Sequence, residues 1–97
     1  MFTKKLLTYS DPAIAQKRAY AYLGKTAKLY PATNKQKKYR ILHNGRWIHF
    51  GQIGYQDYTR HKDRKRRSNY LSRSRNIRGD WARNKYSPNN LSIHILW

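Results

Sequence analysis

Asn44-Gly45 constrains this chain more than any other pair of residues, because both tolerate positive φ and together favour the tight turn that matches the twist of two antiparallel strands. The pair sits between Tyr39–Leu42 and Arg46–Phe50, so those two runs are predicted to form a hairpin. Gly51 ends the second run, and Gly51 and Gly54 bracket a further turn. Upstream, Thr26–Tyr30 alternates weakly and stops at Pro31, which suits an edge strand. Residues 26–50 therefore read as a small three-stranded antiparallel sheet, with a polar loop from Ala32 to Lys38. Leu29, Ile41, Ile48 and Phe50 are expected on its apolar face. Trp47 is assigned to the core. Three short strands need a helix against that face to be stable.

About three helices are available to cover it. Ser10-Asp11-Pro12 combines capping side chains with a proline where its missing N–H does no harm, and Gly24 supplies a stop, predicting a helix over residues 10–24. Residues 1–9 carry no start signal and read as an extended arm. Asp63 is the expected N-cap of a basic helix over residues 63–78, in which Tyr70, Leu71, Ser74 and Ile77 recur at helical spacing. Ser87-Pro88 repeats the cap-plus-proline pattern and opens a last helix over residues 87–97. The expected architecture is α+β, one small domain spanning residues 1–97.

The charge decides what such a domain can partner. Across 97 residues, 22 Lys and Arg face only four Asp and no Glu, giving a net charge of +18. So large an excess repels itself in a compact chain unless an anion is near. The candidate polyanion-binding residues are Arg60, Lys62, Arg64, Lys65, Arg66, Arg67, Arg73, Arg75 and Arg78. The run Arg64 to Arg67 reads as a phosphate-contacting face or a nuclear import signal. Ser72 and Ser74, each beside an arginine, are candidate phosphorylation sites that would reduce the charge. Nine Tyr and three Trp against two Phe give most rings a polar handle, which suits interfaces, base stacking or bulk in a small core alike.

The same composition argues against chemistry. The chain has no Cys and no Glu, its four His are dispersed and its four Asp scattered, so neither a metal site nor a catalytic constellation is expected. No cofactor and no small-molecule substrate is expected either. No apolar run approaches the length of a membrane span, and Met1–Leu7 is too short and charged for a signal peptide.

The last seven residues, Leu91 to Trp97, are apolar on more than one side, a pattern that calls for cover from more than one direction. Leu91, Ile93, Ile95, Leu96 and Trp97 are accordingly the candidate protein-docking residues, with Ile93 and Leu96 expected to point away from the domain's own core. Phe2, Leu6 and Leu7 form a second sticky end.

Three strings in the middle of the chain, Trp47-Ile48-His49-Phe50-Gly51, Gly54-Tyr55-Gln56-Asp57-Tyr58-Thr59 and His61-Lys62-Asp63-Arg64-Lys65-Arg66-Arg67, resemble the shared core of a family of short basic proteins encoded by large DNA viruses of eukaryotes, the nucleocytoplasmic large DNA viruses. The resemblance extends through Tyr22-Leu23-Gly24, Lys28-Leu29-Tyr30-Pro31, Gly79-Asp80-Trp81 and Lys85 to Ser92. It implies a viral origin and brings no catalytic residues. Two functions are then expected. One is a non-enzymatic structural protein of the virus particle, a minor capsid or core-associated component that docks on larger virion proteins and turns its basic helix to acidic protein, membrane or genome. The other is a free nucleic-acid-binding protein that condenses or regulates viral DNA. The expected locations are the virion and, during infection, the host cytoplasm or nucleus.

Overall fold

A computed structural model describes residues 2–97 and shows an α+β chain in which one three-stranded antiparallel sheet is packed by helices. Helices α1 (Lys4–Tyr9) and α2 (Pro12–Leu23) precede strands β1 (Leu29–Pro31), β2 (Lys37–His43) and β3 (Arg46–Gln52). Helices α3 (Tyr58–His61) and α4 (Arg64–Arg75), a 3₁₀ turn over Trp81–Arg83, and α5 (Pro88–Leu91) follow. A π-helical turn over Ser92–Leu96 continues α5.

The hairpin forms as its turn residues dictate. Asn44 and Gly45 both hold positive φ, 51° and 76°, and His43 pairs with Arg46 across them. From that closure the register puts Leu29, Ile41 and Ile48 in one row and Tyr39 beside Phe50. Leu29, Tyr39, Ile41 and Phe50 are buried, and Ile48 is half-buried. Strand alternation then turns Tyr30, Arg40, Leu42 and Trp47 to the other face. Trp47 is 43% exposed there, so its assignment to the core is corrected: with Ile48 and Phe50 inward, an odd-numbered neighbour must point out. Its ring is partly covered by the Arg40 guanidinium, 4.2 Å from the centroid, and meets Tyr30 edge-on.

Residues 1–9 are not an extended arm. Met1 lies outside the described residues, but Lys4–Tyr9 is helical because the Thr3 hydroxyl accepts from the Leu6 N–H at 3.2 Å and no breaker follows until Ser10. Leu6 is buried, and Phe2 sets its ring edge-on to Tyr39. Asp11 caps α2 through Ala13 and Ile14, with Pro12 in the first turn. Ala15 and Ala19, both fully buried, present a smooth face to the core. Gln16 ties α2 to the sheet, donating to the Ala27 carbonyl and accepting from the Leu29 N–H.

The C-terminal segment also departs from expectation. Leu91, Ile93, Ile95 and Leu96 are all buried within the chain itself, so Ile93 and Leu96 do not point away from its core as expected, and Trp97 is half-buried. An apolar element does need cover on several sides, but here α2 lies on one side and β3 on another. The π turn, closed by Trp97 N–H on the Ser92 carbonyl, widens the spacing of side chains around the axis, so Ile93 and Leu96 also find cover. Gly51 permits the close approach: at φ 82° its missing Cβ would stand 2.8 Å from Leu96 Cδ1. The basic helix is shorter than residues 63–78. It stops at Arg75, where Asn76 caps it and donates its side-chain amide to the Ser72 carbonyl, leaving Ile77 exposed.

Candidate nucleic-acid interface

A buried polar network lies in the segments that lead into α4. Lys38, expected in a loop, is instead in β2 and buried, with its ammonium 3.1 Å from Asp57 Oδ2 and donating to the Tyr55 carbonyl at 2.7 Å. The Thr59 hydroxyl donates to the other Asp57 oxygen. Thr59 in turn accepts from the Asp11 N–H and from the Ser10 hydroxyl, and Ser10 accepts from the Tyr39 hydroxyl at 2.7 Å. The chain of donors runs from Tyr39 through Ser10 and Thr59 to Asp57, met from the other side by Lys38. Burial pulls the Lys38 pKa down, against the opposing pull of Asp57, and burial pushes the Tyr39 phenol up. The network joins the α1–α2 junction, β2 and α3 in one knot.

From that knot, Lys62 in the left-handed region ends α3 and Asp63 starts α4, accepting from the Lys65 and Arg66 N–H groups. The Arg66 N–H is the main reason the Asp63 carboxyl sits below its ordinary pKa. Leu71 and Ser74 face inward, and Asn89 bonds the Ser74 carbonyl. Ser74 is therefore a poor candidate for phosphorylation, whereas Ser72 is exposed.

The predicted cations divide into two groups. Arg64, Lys65, Arg66, Arg73 and Arg75 are exposed along α4, flanked by exposed Arg60 and Lys62 before it and Arg78 after it. Arg67 differs: it is half-buried, donates to the Trp97 carbonyl and lies over the Tyr58 ring, so it pins the C-terminus to α4. Among the described residues the one salt bridge is Lys38–Asp57. Asp11 and Asp63 serve as helix caps. The exposed arginines and lysine of α4 consequently have no acidic side-chain partner among the described residues.

A cleft of about 610 Å³ runs along one flank of α4. Arg66, Asn69, Tyr70 and Arg73, at helical spacing, line it from α4; Tyr55 lines it from the segment between β3 and α3, and Trp97 contributes its ring, stacked on Tyr70 at 4.2 Å. None of the four Asp lines it. Tyr55, Asn69 and Tyr70 were not foreseen as site residues. The i, i+3, i+4, i+7 spacing of 66, 69, 70 and 73 was a usable signal, but nothing local brings Tyr55 into the same cleft. Arg18 is another unforeseen neighbour, half-buried, its pKa lowered by burial and by the nearby charge of Arg67.

Two histidines beside this region are expected to make stability depend on pH. His61 Nδ1 accepts from the Asp63 N–H at 2.8 Å, which puts the proton on Nε2, a buried atom with no partner. Burial first, then the charge of Arg66, lowers the His61 pKa; burial, then Arg18, Arg75 and Lys85, lowers that of His94, which is stacked on Tyr22. The unfolded chain, with His near pKa 6.5, thus takes up protons before the folded one does. Stability is expected to be full above about pH 6.5 and to fall as pH drops from there toward the lower folded values. Denaturant midpoints between pH 7.5 and 5 check this. His61→Phe should flatten the profile, and a profile already flat in the wild type would contradict it.

Among the described residues no group of three or more His or Asp side chains is placed to hold a metal ion, and no helix is long and apolar enough to cross a membrane. Residues 27–74, from just before β1 through most of α4, match the model of a family of unknown function (DUF5754). No curated protein and no solved structure matches the chain.

Proposed function

We propose that this protein binds nucleic acid through α4, holding the phosphate backbone without reading its sequence. The observation that carries this reading is the row of exposed, acid-free cations on α4, a helix capped by Asp63 and tied to the domain through buried Leu71 and Ser74 and through Arg67. A flexible basic tail would attract anions equally, but would not need a capped helix tied to the domain. Phosphate contacts of this kind release counterions and make up most of sequence-independent affinity. With the viral resemblance of Trp47 to Arg67, the nucleic acid is a viral genome.

Replacing Arg64, Lys65 and Arg75 together by Gln tests the reading, since all three are exposed and none of them lines the cleft. Duplex affinity near physiological salt should fall by about tenfold or more. Two duplexes of unrelated sequence should bind the wild type alike. Unchanged affinity in the triple variant, or strong preference between the duplexes, would count against it.

One observation favours a second reading, a structural component of the virus particle. The outer sheet face leaves Tyr30, Leu42 and Trp47 exposed together, a set of large apolar side chains suited to a protein neighbour. Leu6, Leu91, Ile93, Ile95 and Leu96 give this reading no support, because they are buried within the chain, whereas Leu7 is exposed. Mass spectrometry of purified particles decides between the two: abundance in infected cells with absence from particles would exclude the structural role.

A further inference from the structure

We infer that the cleft beside α4 takes a single unpaired nucleotide, its base against Tyr55 and its phosphate near Arg66 and Arg73, so that the protein prefers single-stranded or locally opened nucleic acid to closed duplex. This rests on the nucleic-acid reading of α4 and deepens it.

The cleft has the size and lining such a ligand needs. Its volume of about 610 Å³ falls within the roughly 300–1,000 Å³ typical of small-ligand sites. Arg66 and Arg73 lie two helical turns apart on α4, and the absence of any acidic side chain from the lining selects an anion. Tyr55 is the one ring of the lining left open, 69% exposed, whereas Tyr70 and Trp97 are already stacked on each other. Asn69, exposed between the two arginines, offers both a donor and an acceptor to a base edge.

The shape favours the unpaired form. Duplex nucleic acid presents its phosphates on the outside and keeps its bases stacked, so it can lie along the exposed arc of α4 but cannot put a ring into a concave site. An unpaired base can be splayed out and stacked on an aromatic side chain, and such stacking tolerates any base. The two surfaces thus divide the work: the outer cations of α4 serve any polyanion, and the cleft discriminates strandedness. The buried ammonium of Lys38 lines the back of the cleft but is already engaged by Asp57 and the Tyr55 carbonyl, so it steadies the loop that carries Tyr55.

The test uses the full chain with fluorescently labelled oligothymidylate and with a duplex of equal length, at the same salt. Tyr55→Ala should weaken oligothymidylate binding by about tenfold, the reduction expected from one stacked base, and leave duplex binding unchanged. Tyr55→Trp should retain single-strand binding. Substitution of this exposed side chain leaves the Lys38 bond to the backbone carbonyl intact, and circular dichroism checks the fold. If Tyr55→Ala leaves oligothymidylate binding unchanged while duplex binding remains strong and salt-sensitive, the cleft proposal is wrong and the α4 reading stands. If the wild type binds neither probe, both fall. Equal reductions on both probes would place Tyr55 in the general interface and also overturn the cleft proposal.

Discussion

Asp57→Ala should lower the stability of the folded chain by about 3–5 kcal/mol, the usual consequence of leaving one charge of a buried ion pair without its partner. Asp57 is fully buried, and its carboxylate is engaged on both oxygens, by Lys38 and by Thr59. Removing it strands the Lys38 ammonium and leaves Thr59, Ser10 and Tyr39 with a donor chain that ends nowhere. Since domains of this size have about 5–15 kcal/mol in total, the variant should sit close to the unfolding threshold at room temperature. Lys38→Met should be milder, because the long apolar replacement fills the same space and the Asp57 carboxylate keeps its hydrogen bond from Thr59. Chemical denaturation of the variants measures both. A change below about 1 kcal/mol for Asp57→Ala would mean the network is open to water and does not hold the α1–α2 junction, β2 and α3 together.

The second large effect is at the C-terminal segment. Leu91→Ala and Ile95→Ala should each destabilise by about 2–5 kcal/mol, as for other fully buried aliphatic side chains cut back to a methyl group. Both side chains are completely buried in the core cluster, where α2 and the sheet meet this segment. Removing residues 91–97 altogether should abolish cooperative unfolding. Ile77→Ala provides the contrast, for Ile77 is exposed and should change stability by no more than about 0.5 kcal/mol. If Leu91→Ala and Ile95→Ala were as mild as Ile77→Ala, these residues would be free for a partner after all.

Local chemistry was legible wherever one or two residues determine a backbone conformation. Asn44-Gly45 announced the hairpin, Asp63 the start of α4 and Ser87-Pro88 the start of α5. The inward row Leu29, Ile41, Ile48 followed from alternation once the turn set the register. The same alternation should have turned Trp47 outward, but its size suggested a core role, and the cover from Arg40 and Tyr30 is tertiary. Helix α1 was missed because its cap is Thr3, ahead of two lysines that look like an arm.

The site was half legible for a similar reason. Positive charge is a property of composition, so the cations of α4 could be named from residue types, apart from the fact that Arg67 is tied to Trp97. What opposes charge or aromatic rings across space could not. Lys38 looked like one loop lysine among several, yet it is the one that finds Asp57. The all-round apolar C-terminus correctly implied cover on several sides, but whether α2 and β3 or another chain supplied it depended on packing that no local pattern records.

The claim that α4 is a phosphate-binding surface is tested most directly by the salt dependence of duplex binding, wild type against the Arg64, Lys65 and Arg75 to Gln variant. The slope of log affinity against log salt should be steep for the wild type and should flatten by up to about 0.9 for each phosphate that the variant no longer neutralises, hence by about 2 to 3 in the triple variant. An identical slope in both proteins would place the phosphate-binding cations elsewhere and contradict the account.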